Sequence, residues 1–103
     1  RLLSRKSVEL MTSNRLGPEI NKQGWSYYPG PGYGFGLGFA VRLARGVAPQ
    51  VGSPGDYFVE GLYGTLAFAD PQEQLLAVFM VQSQQWRYYR PLVKALVLQS
   101  LTN

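Results

Sequence analysis

The chain has no cysteine and no histidine among its 103 residues. The first absence excludes disulfides and thiolate chemistry, and the second removes the commonest metal ligand and the usual general base. Acidic residues are few: Glu9, Glu19, Asp56, Glu60, Asp70 and Glu73. A metal site would have to be built from these carboxylates alone, and they do not cluster along the chain. Neither a metal nor another cofactor is therefore expected. No apolar run reaches the ~18 residues that a membrane span requires, and no charged-then-apolar leader opens the chain. Long runs of positive charge are missing too. The ten basic residues give a net charge of +4, but they are dispersed, as solvated surface charge is and a nucleic-acid footprint is not. The compartment is not signalled.

What is present is globular composition, 46% apolar and 14% aromatic, well above the low-hydrophobicity profile of disorder. A chain of this length fits one domain, residues 1–103, and folding would bury somewhat over ~60% of its unfolded surface. The first residue is Arg1, with Leu2 and Leu3 next, which leads to the expectation that the chain begins within a longer protein. Ser4 is a suitable N-cap for a helix over about 5–13, with Val8 and Met11 on one face. Residues 15–32, "RLGPEINKQGWSYYPGPG", hold three prolines and four glycines and read as an irregular connection.

From Tyr33 the period changes to two. Tyr33, Phe35, Leu37, Phe39, Val41 and Leu43 fall on one side, and Gly34, Gly36, Gly38, Ala40, Arg42 and Ala44 on the other. This spacing predicts a long strand with one bulky and one nearly bare face. Glycines weaken a strand unless something approaches its backbone closely, so another element is expected to pack there. A phosphate-cradling loop does not suit the context, because such loops open a helix after a strand. Two apolar runs, 64–69 and 75–82, flank Asp70-Pro71-Gln72-Glu73-Gln74, a good hairpin connection. "LLAVFMVQ" is apolar on both faces and is expected to be an interior strand. Tyr89, Leu92, Val93, Leu96, Val97 and Leu101 recur at helical spacing, with Arg90, Lys94 and Gln99 expected to face outward. The expected fold class is α+β: an antiparallel sheet of about three strands flanked by an N-terminal and a C-terminal helix.

The ordered runs "LLSRKSVELMTSNRLG", "GYGFGLGFAVRL" and "GSPGDYFVEGLYGTLAFADPQEQLLAVFMVQ", followed by an amphipathic helix, carry a family resemblance. Together they are similar to the C-terminal portion of the β-lactamase-related serine hydrolases, which include class C β-lactamases, penicillin-binding proteins and esterases of the same fold. The resemblance covers essentially the whole chain, and it rests on the spacing of "GYGxGLGFAV", "GxYxxxGxxGTxxxxDP" and "LxAVFMxQ" in that order. It implies a serine β-lactamase-like fold and a parent enzyme acting on small ester or amide substrates. That chemistry uses a serine with a lysine three residues later, and a third motif on a strand lining the site.

By this resemblance Val59, Glu60 and Gly61 occupy the third-motif position and bind substrate, and the backbone amide of Leu62 is an oxyanion-hole donor. Related esterases usually carry tryptophan-glycine-glycine or histidine-x-glycine there, so the chain departs at its first two positions. A carboxylate such as Glu60 would repel a developing oxyanion unless it turned to solvent. None of Ser4, Ser7, Ser13, Ser26, Ser53, Ser83 or Ser100 has a lysine three residues on, and Tyr27-Tyr28-Pro29 lacks the tyrosine-x-asparagine form. The nucleophile is therefore expected on other polypeptide, either a complementary N-terminal part of the hydrolase or an associated chain. The alternative is a non-catalytic binding or assembly module on the same scaffold, engaging partners through a sheet edge and through Tyr27, Tyr28, Tyr57, Tyr63, Tyr88 and Tyr89. No nucleic-acid partner is expected.

Overall fold

Helix α1 spans Arg5–Met11, and the Ser4 side chain caps it by accepting from the Ser7 amide at 3.1 Å. The structure, a computed structural model, describes residues 2–18, 20, 28–48 and 50–102, with backbone alone at 86 and 87. Residues 19 and 21–27 of the connection, Tyr27 among them, lie outside the described residues. After α1 come five strands: β1 Tyr33–Phe35, β2 Ala40–Arg42, β3 Tyr57–Glu60, β4 Leu66–Asp70 and β5 Leu75–Phe79. Helix α2, Trp86–Gln99, closes the chain. The strands form one antiparallel sheet in the order β1-β2-β3-β4-β5. The class is α+β, as the pattern indicates, but with five strands instead of about three.

Two of the differences have clear causes. The single long strand expected from Tyr33 is a hairpin, because Gly38 takes a left-handed φ of 100° and the Gly36 amide donates to the Phe39 carbonyl at 2.7 Å. Tyr33 pairs with Arg42 and Phe35 with Ala40, so Val41 lies on the face of Gly34 and not, as expected, on that of Tyr33 and Phe35; the sequence keeps period two through the turn, so period alone could not reveal the fold-back. The segment Tyr57–Glu60 then pairs with both β2 and β4 and adds the other strand.

The bare glycine side is covered as expected. The Met11 carbonyl and Asn14 sit where side chains at Gly36 and Gly34 would project. The Arg15 amide donates to the Phe35 carbonyl at 2.8 Å, and Asn14 Oδ1 accepts from the Phe35 amide at 3.2 Å. The segment after α1 therefore closes the β1 edge. At the other end, among the described residues, β5 pairs only with β4. This corrects the interior placement of "LLAVFMVQ": within the chain β5 is an edge strand with one face open, and Leu76, Val78 and Met80 are exposed. The Asp70 turn follows its sequence reading, with Asp70 Oδ1 accepting from the amides of Gln72 and Glu73.

The apolar core lies between the sheet and α2. Tyr33, Ala40, Phe58, Leu66 and Phe68 are buried there, with Phe35, Phe79 and Val97 packed against them. Tyr33 and Phe58 meet edge to face, centroids 5.2 Å apart. The most completely buried large side chains are nevertheless two carboxylates, Asp56 and Asp70. Asp56 accepts from Arg42 Nε at 3.0 Å and from Lys94 Nζ at 3.1 Å. The remaining Arg42 nitrogens donate to the carbonyls of Gln50 and Val51 and to the Tyr33 hydroxyl.

The outward placement of Arg90 and Lys94 is corrected by this arrangement: both face the sheet and are 6% and 2% exposed. Leu92 and Leu96 are exposed instead, while Gln99 faces solvent as expected. Lys94 lies over the rings of Phe58 and Phe68, at 5.8 and 5.2 Å from their centroids. Burial lowers its pKa, and the attraction of Asp56 opposes that shift. Burial also raises the Tyr33 phenol to about 12, against the opposing pull of Arg42.

Candidate functional site

Strand β3 ends at Glu60, and a four-residue turn follows in which the Gly64 amide donates to the Gly61 carbonyl at 3.3 Å. Gly64 has φ 107°, a left-handed value that disfavours other residues. The Gly61 amide donates to the Thr65 carbonyl at 3.1 Å and closes the turn onto β4. Among the described residues no carbonyl accepts from the Leu62 amide, and Leu62 is 79% exposed. A free backbone donor thus stands at the tip of a rigidly bonded turn.

Alternation along β3 divides the four sequence-predicted site residues between two faces. Val59 points to the open face, where a groove of ≈ 370 Å³ is lined by Val59, Gly61, Ala67, Val78 and Met80 and is also bordered by Glu60. Glu60 points to the α2 face, where Tyr28, Glu60, Gly61, Leu62 and Arg90 line a second groove of ≈ 440 Å³. Gly61 and Leu62 border the second groove, and Glu60 and Gly61 border both.

The Glu60 carboxylate does not turn to solvent. Arg90 Nη1 lies 3.5 Å from its Oε1, and the Tyr28 hydroxyl donates to the same oxygen at 3.0 Å. Arg90 also donates to the Gly61 carbonyl. The Tyr28 ring is more than half exposed, but its hydroxyl end is turned in. Burial first, and then the neighbouring Glu60 charge, push that phenol above its ordinary value, with Arg90 opposing. The negative charge of Glu60 is therefore balanced locally by Arg90.

Sequence reasoning offers Tyr28 only as an interface tyrosine and Arg90 only as a solvent-facing cation, and it misses that both engage Glu60. Tyr28 sits in a connection without periodicity. Arg90 carried one usable signal: it lies four residues before Lys94, on the helix face of Val93 and Val97, where a cation demands a buried acceptor.

No family model matches the chain, and no curated protein matches it. Among the described residues no group of three or more Asp or Glu side chains stands close enough to hold a metal ion. No helix among them is long and apolar enough to cross a membrane.

Proposed function

We propose that the chain is the C-terminal portion of a β-lactamase-related serine hydrolase, acting on small esters or amides. In this reading the strand end Val59, Glu60 and Gly61 borders the substrate, with Val59 on the open face and Glu60 on the α2 face, and the Leu62 amide is one oxyanion donor. The nucleophilic serine and its lysine belong to the complementary N-terminal part. The observation that carries the reading is the turn at Gly61–Gly64, which presents an unused, exposed amide at a strand end bordered by grooves. A preorganised backbone donor of this kind is typically worth about 2.7–4 kcal/mol at the transition state. The open apolar face of β3–β5 supports it further, as a surface for the complementary part to cover.

The test is expression of the complete reading frame and assay with a chromogenic ester. Turnover should disappear when the serine of an upstream S-x-x-K is replaced by alanine, and residues 1–103 alone should show none. A complete protein without S-x-x-K, or hydrolysis that survives the serine replacement, would overturn the reading.

One observation favours the alternative of a binding or assembly module. Glu60 is engaged by Arg90 and Tyr28 at the place where related esterases carry small or aromatic residues, and Tyr63 and Tyr88 are exposed. The same assay separates the two readings, since only the enzyme needs the upstream serine.

A further inference from the structure

We propose that Arg90 of helix α2 is a positioning residue that aims and polarises the Leu62 amide; this rests on the reading of that amide as an oxyanion donor. The carbonyl of Gly61 and the N–H of Leu62 belong to a single peptide unit. In a planar trans peptide these two groups point in opposite directions. Whatever fixes the carbonyl therefore fixes the amide. The Gly61 carbonyl accepts from two donors, the Arg90 guanidinium and the Gly64 amide. Arg90 in turn is held by Glu60, 3.5 Å away, and is almost fully buried. Its planar fork spans both acceptors, which an ammonium cannot reproduce.

Two consequences follow from this arrangement. The Leu62 N–H is directed opposite to the Gly61 carbonyl that Arg90 holds. A cationic donor on the carbonyl also strengthens the N–H as a donor, because hydrogen bonds through one peptide polarise each other. Helix α2 thereby takes part in the site without any of its side chains having to touch substrate.

The experiment uses the complete protein, with 15N-leucine labelling and steady-state kinetics on a chromogenic ester. Arg90→Met should lower kcat about tenfold with KM little changed, a fraction of the ~10²–10³ lost with a whole oxyanion donor. Arg90→Lys, which keeps the charge opposite Glu60, should recover part of the loss. The Leu62 amide resonance should shift in Arg90→Met and return part-way in Arg90→Lys. Leu62→Pro deletes the donor at a turn position where proline is well accepted, and it should cost at least as much kcat as Arg90→Met. A Leu62 resonance unmoved in Arg90→Met overturns the proposal, as does unchanged kcat in Arg90→Met when Leu62→Pro is inactive. Where Arg90→Met does not fold, Arg90→Lys with parental kcat and parental Leu62 resonance overturns it. Unchanged kcat in Leu62→Pro, or no serine-dependent turnover at all, removes the functional reading instead. The Leu62 resonance then decides the role of Arg90 alone.

Discussion

Replacing Asp56 by asparagine should destabilise the protein far more than replacing Lys94 by methionine, although the two side chains share a hydrogen bond. Asp56 is wholly buried and neutralises two cations, Arg42 at 3.0 Å and Lys94 at 3.1 Å. Removing its charge leaves both inside the core uncompensated, and breaking a buried pair in this way costs about 3–5 kcal/mol. Asp56→Asn should fall at or above the upper end of that range, since two partners are stranded. In Lys94→Met the accounting differs. Asp56 keeps Arg42, the methionine can still cover Phe58 and Phe68, and the ammonium no longer has to be desolvated. One charge-assisted hydrogen bond worth ~1.5–3 kcal/mol is lost, against a desolvation penalty of several kcal/mol that is relieved. The net change should stay within about 1 kcal/mol of zero. Asp70, whose Oδ2 is buried without a donor, adds only the weakest of the attractions felt by Lys94. The assay is equilibrium urea unfolding followed by far-UV circular dichroism and fluorescence, with the m-value compared between variants. Equal losses for the two variants, or a larger loss for Lys94→Met, would refute the reasoning, because Lys94 would then be a main support of the core.

Four further outcomes are expected. Gly36→Val should destabilise by about 1–3 kcal/mol through overpacking, because its Cβ would enter the space of the Met11 carbonyl; an unchanged urea midpoint would show that the segment after α1 does not press on β1. The stability that un-ionised Tyr33 contributes is intact below its ordinary 10.0 and lost as pH rises through about 12, so Tyr33→Phe should remove that alkaline loss. Lys94 acts in the opposite sense, since below 10.5 the unfolded chain holds a proton that the folded chain has begun to release, and Lys94→Met should remove the resulting rise of stability with pH. Residues 1–103 alone should associate with concentration through the open β5 edge, and Val78→Lys should weaken that association; sedimentation of a cooperative monomer at all concentrations would contradict this.

The parts of the fold legible in the sequence are those encoded by near neighbours. Ser4 caps α1 through Ser7, three residues on, and Asp70 builds its turn from the amides of Gln72 and Glu73. The glycines at 34 and 36 announce a close neighbour, which Met11 and Asn14 supply. What was not legible depends on partners brought together only by the register of the sheet. Lys94 finds Asp56 at a separation of 38 residues, and Arg90 finds the Gly61 carbonyl at 29. A cation on an amphipathic helix reads as solvent-facing until its acceptor is known. In the candidate site the same limit applies: only the family resemblance points to Val59–Leu62, and the balance of the Glu60 charge by Arg90 and Tyr28 is not legible in it.

The misplacements share a direction that bears on the proposed function. Pattern assigned Leu76, Val78, Leu92 and Leu96 to the interior, and all four are exposed on this chain. Leu76 and Val78 stand with Met80 on one strand and its continuation, next to Val59, so they form a patch and are not scattered single side chains. Single exposed leucines need no explanation, whereas contiguous apolar patches mark interaction surfaces. The β5 edge beside the patch carries no charged residue and no proline, the usual devices that prevent strand addition. A strand apolar on both faces and unprotected at its edge is what an interior strand needs. The sequence pattern and the open face agree if the polypeptide proposed to carry the nucleophile also completes the sheet environment around β5. The surface that appears as an error of pattern reading is then the surface through which the site becomes whole.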